Sequence, residues 1–113
     1  MGVTRIRGVN VADWNVVYVG DSYQAKKDDH ICLDSTAAIF VTLPSNPSKS
    51  DRVKVTDIGG DCVSNNCTVL RNGEKIMKLE ENDIIALDYA TVIYTFLNEE
   101  FGWIKEFVSI GVS

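Results

Sequence analysis

Histidine and cysteine are scarce in this chain, which contains one histidine, His30, and three cysteines, Cys32, Cys62 and Cys67. A structural zinc site takes four such ligands, usually in closely spaced pairs, and no second pair accompanies Cys62 and Cys67. We therefore predict that the chain holds no metal. The thiols are expected to be free and buried, and a Cys62–Cys67 disulfide is the alternative.

Long apolar runs and an excess of basic residues are also missing. No stretch approaches the roughly 18 apolar residues of a membrane helix, so no membrane partner is predicted. Sixteen acidic residues against eleven basic ones give a net charge of −5, which repels phosphate backbones and disfavours nucleic acid as a partner. No apolar segment follows Arg5 and Arg7, so we read no signal peptide and expect synthesis in a cytoplasm.

Motifs of catalysis are absent as well. There is no G-x-S-x-G and no phosphate-binding loop, and His30 is flanked by acids in a predicted loop, where it should face solvent. Carboxylates that could act as a glycosidase pair all fall in predicted turns, where solvation explains them. These are Asp57 with Asp61, Glu80 and Glu81 with Asp83, and Glu99 with Glu100. We predict that the chain is not an enzyme and binds no cofactor, and a small glycan hydrolase is the least favoured alternative.

What the sequence does contain is a series of short apolar stretches with the two-residue period of β-strands. Ala38–Leu43 and Arg52–Asp57 are two of them, joined by the serine- and proline-rich loop Ser45–Ser50. Asn72-Gly73 is the strongest hairpin signal, since both residues suit a type I′ turn. The returning strand would then be Lys75–Leu79.

Turn signals every 8–12 residues and no clear helical period predict an all-β fold. We expect a small antiparallel β-sandwich or barrel of about eight short strands. Residues 14–113 would form a single domain. Residues 1–13 would be an N-terminal arm or an added strand.

Alternation also predicts which residues face the core. The inward set is Ile39, Val41, Leu43, Val53, Val55, Val69, Val92, Tyr94 and Phe96. The opposite side of the same strands carries four further apolar residues, Phe40, Leu70, Ile93 and Leu97. In a one-sided sheet these positions should be polar, so we predict that the four contribute to a subunit interface. The alternative is that a local segment, Glu74–Leu87 or the N-terminal arm, folds over them.

Aromatic residues that could stack on sugars form a separate set. It comprises Trp14, Tyr18, Tyr23, Tyr89, Phe101 and Trp103. Because most of them lie within or next to predicted strands, core packing is the preferred interpretation and a lectin-like site is the alternative.

Several of these patterns together resemble a known family. Thr42-Leu43-Pro44 ends an apolar strand before a polar loop, Asn65–Val69 is similar to an N-N-x-T-V strand entry, and Asn72-Gly73 follows as a turn. An aromatic strand with Val92, Tyr94 and Phe96 then leads into Gly102-Trp103. The pattern resembles small β-modules of phage tail fibres and baseplates. These include the first β-domain of T4-like baseplate wedge proteins that anchor short tail fibres, and the N-terminal adaptor domains of tailspikes.

The resemblance implies a function that composition alone does not indicate. It implies a structural virion protein of a phage tail fibre, tailspike or baseplate, which acts as an assembly scaffold through contacts with other virion proteins. It also implies a homotrimer, assembled in the cytoplasm of a host bacterium and then located in the virion. A receptor-binding module that recognises bacterial surface glycans is the alternative.

Overall fold

A computed structural model describes residues 13–109 of the chain, and these residues form nine strands. The strands are β1 (Asn15–Val19), β2 (Tyr23–Gln24), β3 (Asp29–Leu33), β4 (Ile39–Thr42), β5 (Arg52–Asp57), β6 (Cys67–Leu70), β7 (Asp83–Ile85), β8 (Thr91–Asn98) and β9 (Gly102–Ser109). The part of the chain that the structure describes contains no helix, and hence none that could cross a membrane. The predicted all-β class is confirmed.

The strands form two sheets that enclose one core. The five-stranded sheet has the order β1-β3-β5-β8-β9, and the four-stranded sheet has the order β2-β4-β6-β7. Buried side chains from both sheets belong to a single hydrophobic cluster. Of the two predicted architectures, a β-sandwich or a barrel, the structure is consistent with a small β-sandwich.

The predicted antiparallel pairing is wrong for the first six strands. The chain alternates between the two sheets, so β1 and β3, β3 and β5, β2 and β4, and β4 and β6 all pair in parallel. Parallel neighbours need a crossover connection, and here each crossover contains a strand of the opposite sheet instead of a helix. The antiparallel pairs are β5 with β8, β6 with β7, and β8 with β9.

The core has the composition that alternation predicts. All nine residues expected to point inward are buried, namely Ile39, Val41, Leu43, Val53, Val55, Val69, Val92, Tyr94 and Phe96. Trp103 is the largest fully buried side chain, and its ring meets that of Phe96 edge to face at 5.4 Å between centroids.

The predicted hairpin at Asn72-Gly73 forms only as a turn. Both residues have positive φ, 53° and 94°, and the Glu74 amide donates to the Arg71 carbonyl oxygen at 3.3 Å. The expected returning strand Lys75–Leu79 does not pair with β6, whose antiparallel partner is β7. Instead, the backbone around Ile76 pairs with Trp103 at the outer edge of β9.

The predicted N-terminal arm, residues 1–13, lies outside the described residues except for Asp13. The structure therefore does not test the boundary between the arm and the domain.

Candidate interaction surface

The four residues predicted to form a subunit interface lie on two opposite faces of the sandwich. Phe40 and Leu70 point away from the core on the four-stranded sheet, where their neighbours along the strands are buried. Ile93 and Leu97 point away from the core on β8, which belongs to the five-stranded sheet. They therefore cannot form one continuous patch on a single subunit, and the structure does not test whether they contact another chain.

The outer face of the four-stranded sheet carries no charged side chain in strands β2, β4, β6 and β7. We call this surface the uncharged face, and it consists of Gln24, Phe40, Thr42, Thr68, Leu70 and Ile84. Charged residues make up 24% of the whole chain, so six positions would carry one or two charges on average, and this face carries none.

The registers place the apolar residues of the uncharged face in adjacent rows. Phe40 pairs with Thr68 and Thr68 pairs with Ile84, so one row crosses three strands. Phe40 is 49% exposed and Ile84 is 55% exposed. Leu70 pairs with Thr42 in the next row and is half-buried. The result is a flat apolar strip lined by threonine.

The outer face of the five-stranded sheet differs from the uncharged face in that it carries charged side chains. Ile93 pairs with Lys54 on one side and with Glu106 on the other. Nearby, the Arg52 guanidinium lies 3.8 Å from the centre of the Trp14 ring, and Lys54 Nζ lies 4.6 Å from it. This face therefore carries three charged side chains, Arg52, Lys54 and Glu106, together with exposed apolar side chains such as Val16 and Val108.

His30 lies on that charged face, within β3 and not in the predicted loop. Its ring is half-buried, and its Nε2 atom is 2.8 Å from the Thr56 hydroxyl oxygen. Burial, together with the nearby Lys54 ammonium, lowers the pKa of the imidazole. The predicted loop is wrong, since His30 lies within β3, but its ring is on the outer, solvent side of the sheet and is partly exposed.

One end of the sandwich is organised by a carboxylate that the sequence analysis placed in a solvated turn. Asp57 is 1% exposed. Its Oδ1 accepts from the Ser35 hydroxyl at 2.6 Å and from the Gly60 amide at 3.0 Å, and its Oδ2 accepts from the amides of Cys62 and Tyr89 at 3.1 Å each. Three separate loops are thus bound to one side chain. Strand alternation could have predicted the burial of Asp57, since this residue shares the inward side of β5 with Val53 and Val55.

The ionisation of Asp57 follows from these contacts. Burial by itself raises the pKa of a carboxyl group, but the Ser35 hydroxyl and the three backbone N–H donors outweigh it. The pKa of Asp57 is consequently lowered from its ordinary value, and the side chain is an anion held by four donors.

This carboxylate fixes an exposed aromatic residue next to it. Tyr89 has a φ of 60°, which non-glycine residues rarely adopt, and its ring is 55% exposed. The ring lies over Gly60, where an added Cβ would be 2.2 Å from Tyr89 Cζ. Three further exposed apolar side chains belong to the same and adjoining loops, Ile58, Val63 and Leu87. Tyr89 is therefore a rigidly presented ring on an apolar loop surface.

Core packing, the preferred interpretation of the aromatic set, holds for only part of it. Trp103 is fully buried and Tyr23 packs against the core. Tyr18, Tyr89 and Phe101 are exposed. Strand alternation alone could not place Tyr89, which lies in a loop.

The cysteines are free, as predicted. Cys62 and Cys67 are buried, and burial raises the pKa of each thiol to about 12. Cys32 is only half-buried, so the expectation of full burial is wrong for this residue. Within residues 13–109, no three His, Cys, Asp or Glu side chains come together in a group that could hold a metal ion.

Comparison with known proteins adds no family assignment. No protein-family model matches the chain, and no curated protein matches it significantly.

Proposed function

We propose that this protein is a structural module of a phage virion, part of a tail fibre, tailspike or baseplate, which docks neighbouring virion proteins through the uncharged face. The observation that carries the proposal is that the uncharged face exposes Phe40 and Ile84 and has no charged side chain, whereas the outer face of the five-stranded sheet carries Arg52, Lys54 and Glu106. The resemblance to phage β-modules supports a phage virion as the assembly to which the protein belongs.

The uncharged face has the properties of a surface that another protein covers. An outer face that stays in water is normally polar, and exposed apolar patches mark interaction sites. Burying Phe40 and Ile84 against a partner would contribute about 1.5–3 kcal/mol for each side chain that becomes fully covered. Thr42 and Thr68 can be covered at low cost, because they carry no charge that must lose its hydration.

The sandwich suits a scaffold because its loops are tied to buried groups. Asp57 holds one end, and a second buried carboxylate, Asp29, accepts from Asn15 Nδ2, the Tyr23 hydroxyl and the Lys26 amide at 2.8–2.9 Å. Surfaces on such a frame keep their shape when they dock. A homotrimer is the assembly we propose, in line with fibre modules of similar pattern.

The double substitution Phe40→Asp and Ile84→Asp is expected to give a folded monomer where the wild-type chain forms a trimer. Two carboxylates on the uncharged face would have to lose their hydration in any complex, whereas in the monomer they remain in water. Light scattering should show a threefold lower mass, while circular dichroism should show that the β fold is retained.

The matched control is Ile93→Asp on the charged face of the same sandwich, which should leave the mass unchanged. Mixtures with candidate virion proteins, run with each variant, extend the test to other partners. The proposal is wrong if the uncharged-face variant assembles as the wild type does, alone and in every such mixture.

A second candidate function, recognition of bacterial surface glycans, is favoured by the ring of Tyr89. Sugar C–H groups pack on aromatic faces, and a ring held in place by its own backbone loses little entropy on binding. Tyr89→Ala should then weaken binding of host lipopolysaccharide about tenfold, which corresponds to about 1.4 kcal/mol. Tyr18→Ala, which removes an exposed ring elsewhere, is the control. A titration that detects no binding by the wild-type chain rejects this candidate.

A further inference from the structure

The turn that follows β6 contains the only asparagine of the chain that precedes a glycine. Asn72 and Gly73 are both exposed, whereas every other asparagine is followed by a residue that has a side chain. The glycine matters chemically, because its backbone nitrogen has no neighbouring Cβ to hinder an approach to the asparagine side chain. The pair therefore has the residue types for a reaction between the Gly73 nitrogen and the Asn72 side-chain amide.

The Gly73 nitrogen is unobstructed in the folded chain. Within residues 13–109, the Gly73 N–H donates no hydrogen bond. A Cβ added at Gly73 would meet no atom within 4 Å, so the space around this residue is open. The bond that closes the turn, from the Glu74 amide to the Arg71 carbonyl oxygen, is long at 3.3 Å. The backbone of the turn can therefore rotate towards the geometry of attack at small cost.

One hydrogen bond restrains the Asn72 side chain. Its Nδ2 atom donates to the Leu43 carbonyl oxygen at 2.9 Å, and this bond connects the turn to the residue that follows β4. Since Asn72 is exposed, water can reach its side-chain carbonyl group. The Nδ2 atom must release Leu43 before the side chain can react, so this bond is the contact that slows the reaction.

We propose that Asn72 is a site of spontaneous deamidation, at which the folded protein modifies itself without an enzyme. Hydroxide removes the Gly73 amide proton, and the Gly73 nitrogen attacks Asn72 Cγ. The bond between that nitrogen and Cγ forms, the bond between Cγ and Nδ2 breaks, and Nδ2 takes a proton from water and leaves as ammonia. Water then opens the cyclic imide at either carbonyl and leaves aspartate or isoaspartate at this position. No oxidant or reductant is needed.

The modification removes a donor and adds a negative charge beside the end of β4. A carboxylate has no N–H to donate, so in the aspartate product two acceptors would oppose each other where Asn72 Nδ2 now meets the Leu43 carbonyl. Isoaspartate also lengthens the main chain by one carbon, which does not fit a turn with φ of 53° at Asn72 and 94° at Gly73. In either product, the turn loses its bond to Leu43.

Two other asparagines are matched controls within the same molecule. Asn46 is exposed and has a φ of 49°, close to the 53° of Asn72, but the next residue is Pro47, which has no N–H to act as the nucleophile. Asn98 is also exposed, and the nitrogen that follows it belongs to Glu99, whose side chain hinders the approach. These controls separate the effect of the glycine nitrogen from the effects of exposure and of left-handed backbone conformation.

Incubation of the folded full-length chain in mildly alkaline buffer made with heavy-oxygen water tests the proposal. Peptide mapping by mass spectrometry follows the exchange of the amide nitrogen for labelled oxygen at each asparagine. We expect Asn72 to react at least about tenfold faster than Asn46 or Asn98, and to yield both aspartate and isoaspartate. Gly73→Ala should slow the reaction at Asn72 at least about tenfold, because the added Cβ hinders the nitrogen. An Asn72 that reacts no faster than the two controls overturns the proposal.

Urea unfolding of the separated products tests the structural consequence. Ion exchange resolves the modified chain from the unmodified one, since the modified chain carries one more negative charge. The modified chain and Asn72→Asp should both unfold at a lower urea concentration than the wild type, because both lack the bond to Leu43. Asn46→Asp adds the same charge at another exposed turn and should leave the midpoint unchanged. A modified chain as stable as the wild type would overturn the inferred loss of the contact with Leu43.

Discussion

Replacing Asp57 with alanine is expected to lower the free energy of unfolding by about 4 kcal/mol. The substitution leaves the Ser35 hydroxyl and the amides of Gly60, Cys62 and Tyr89 without their acceptor, and the bonds from Ser35 and Cys62 are buried. Each unsatisfied buried donor costs about 1–3 kcal/mol, and partial relaxation of the loops reduces the sum. Urea unfolding at pH 7 measures the change.

Asp61→Ala is the matched control, since it removes an exposed carboxylate from the same loop and should change stability by less than about 0.5 kcal/mol. A loss of under about 1 kcal/mol for Asp57→Ala would show that the loops are held by other contacts. Tyr89 would then not be the rigid ring described above.

The same carboxylate makes stability depend on pH with a definite sign. The pKa of Asp57 is lowered in the folded chain from an ordinary value of 3.8, so ionisation stabilises the fold. This contribution is fully present above the ordinary value and is lost as the pH falls through the folded value. The difference in stability between the wild type and Asp57→Asn should therefore be constant near pH 7 and decrease below about pH 4.

The sequence predicted the inward side of the strands well because burial has a simple signature there. Val53 and Val55 are buried and alternate with the polar residues Arg52, Lys54 and Thr56, and a period of two fixes which side is buried. The same rule does not show whether the four predicted interface residues share one face. Alternation says that Phe40 and Ile93 face away from the core, but it does not say that β4 and β8 belong to different sheets.

The sequence also could not predict whether neighbouring strands run parallel or antiparallel. Short apolar strands separated by turns fit hairpins, and they fit equally well a chain that passes from one sheet to the other.

The turn at Met77-Lys78 could not be predicted from the sequence either. Met77 and Lys78 have φ of 50° and 71°, and the Ile76 and Leu79 backbones bond to each other at 2.9 Å, as in a type I′ turn. Neither residue type favours that conformation, and the tertiary bond from the Met77 amide to Trp103 imposes it.

The residues that organise the candidate sites differ in how clearly the sequence predicts their burial. Asp57 continues the inward series of β5, so its burial was readable, although a carboxylate at the end of a strand is more often solvated. The exposure of Phe107, which shares the inward side of β9 with Trp103, depends on the two sheets having different numbers of strands, which is a property of the whole fold. No local pattern around β9 could reveal it.

Gly102→Ala is expected to destabilise the chain by about 3 kcal/mol or more. Gly102 has a φ of 74°, and an added Cβ would lie 1.9 Å from the carbonyl oxygen of Lys75 and 2.4 Å from its carbonyl carbon. Backbone atoms cannot rotate away as a side chain does. The bond from the Trp103 amide to the Lys75 carbonyl, 2.8 Å long, would have to open.

Gly73→Ala separates the two causes of that loss. Gly73 has a φ of 94°, but an added Cβ there meets no atom within 4 Å, so only the backbone conformation is penalised, by about 1–2 kcal/mol. Urea unfolding should rank the variants as wild type, Gly73→Ala, then Gly102→Ala. Because the segment around Lys75 and Met77 covers Trp103, Gly102→Ala should also shift tryptophan fluorescence to longer wavelength, whereas Gly73→Ala should not. Equal losses for the two variants would mean that the backbone around Lys75 moves easily to accommodate the added Cβ.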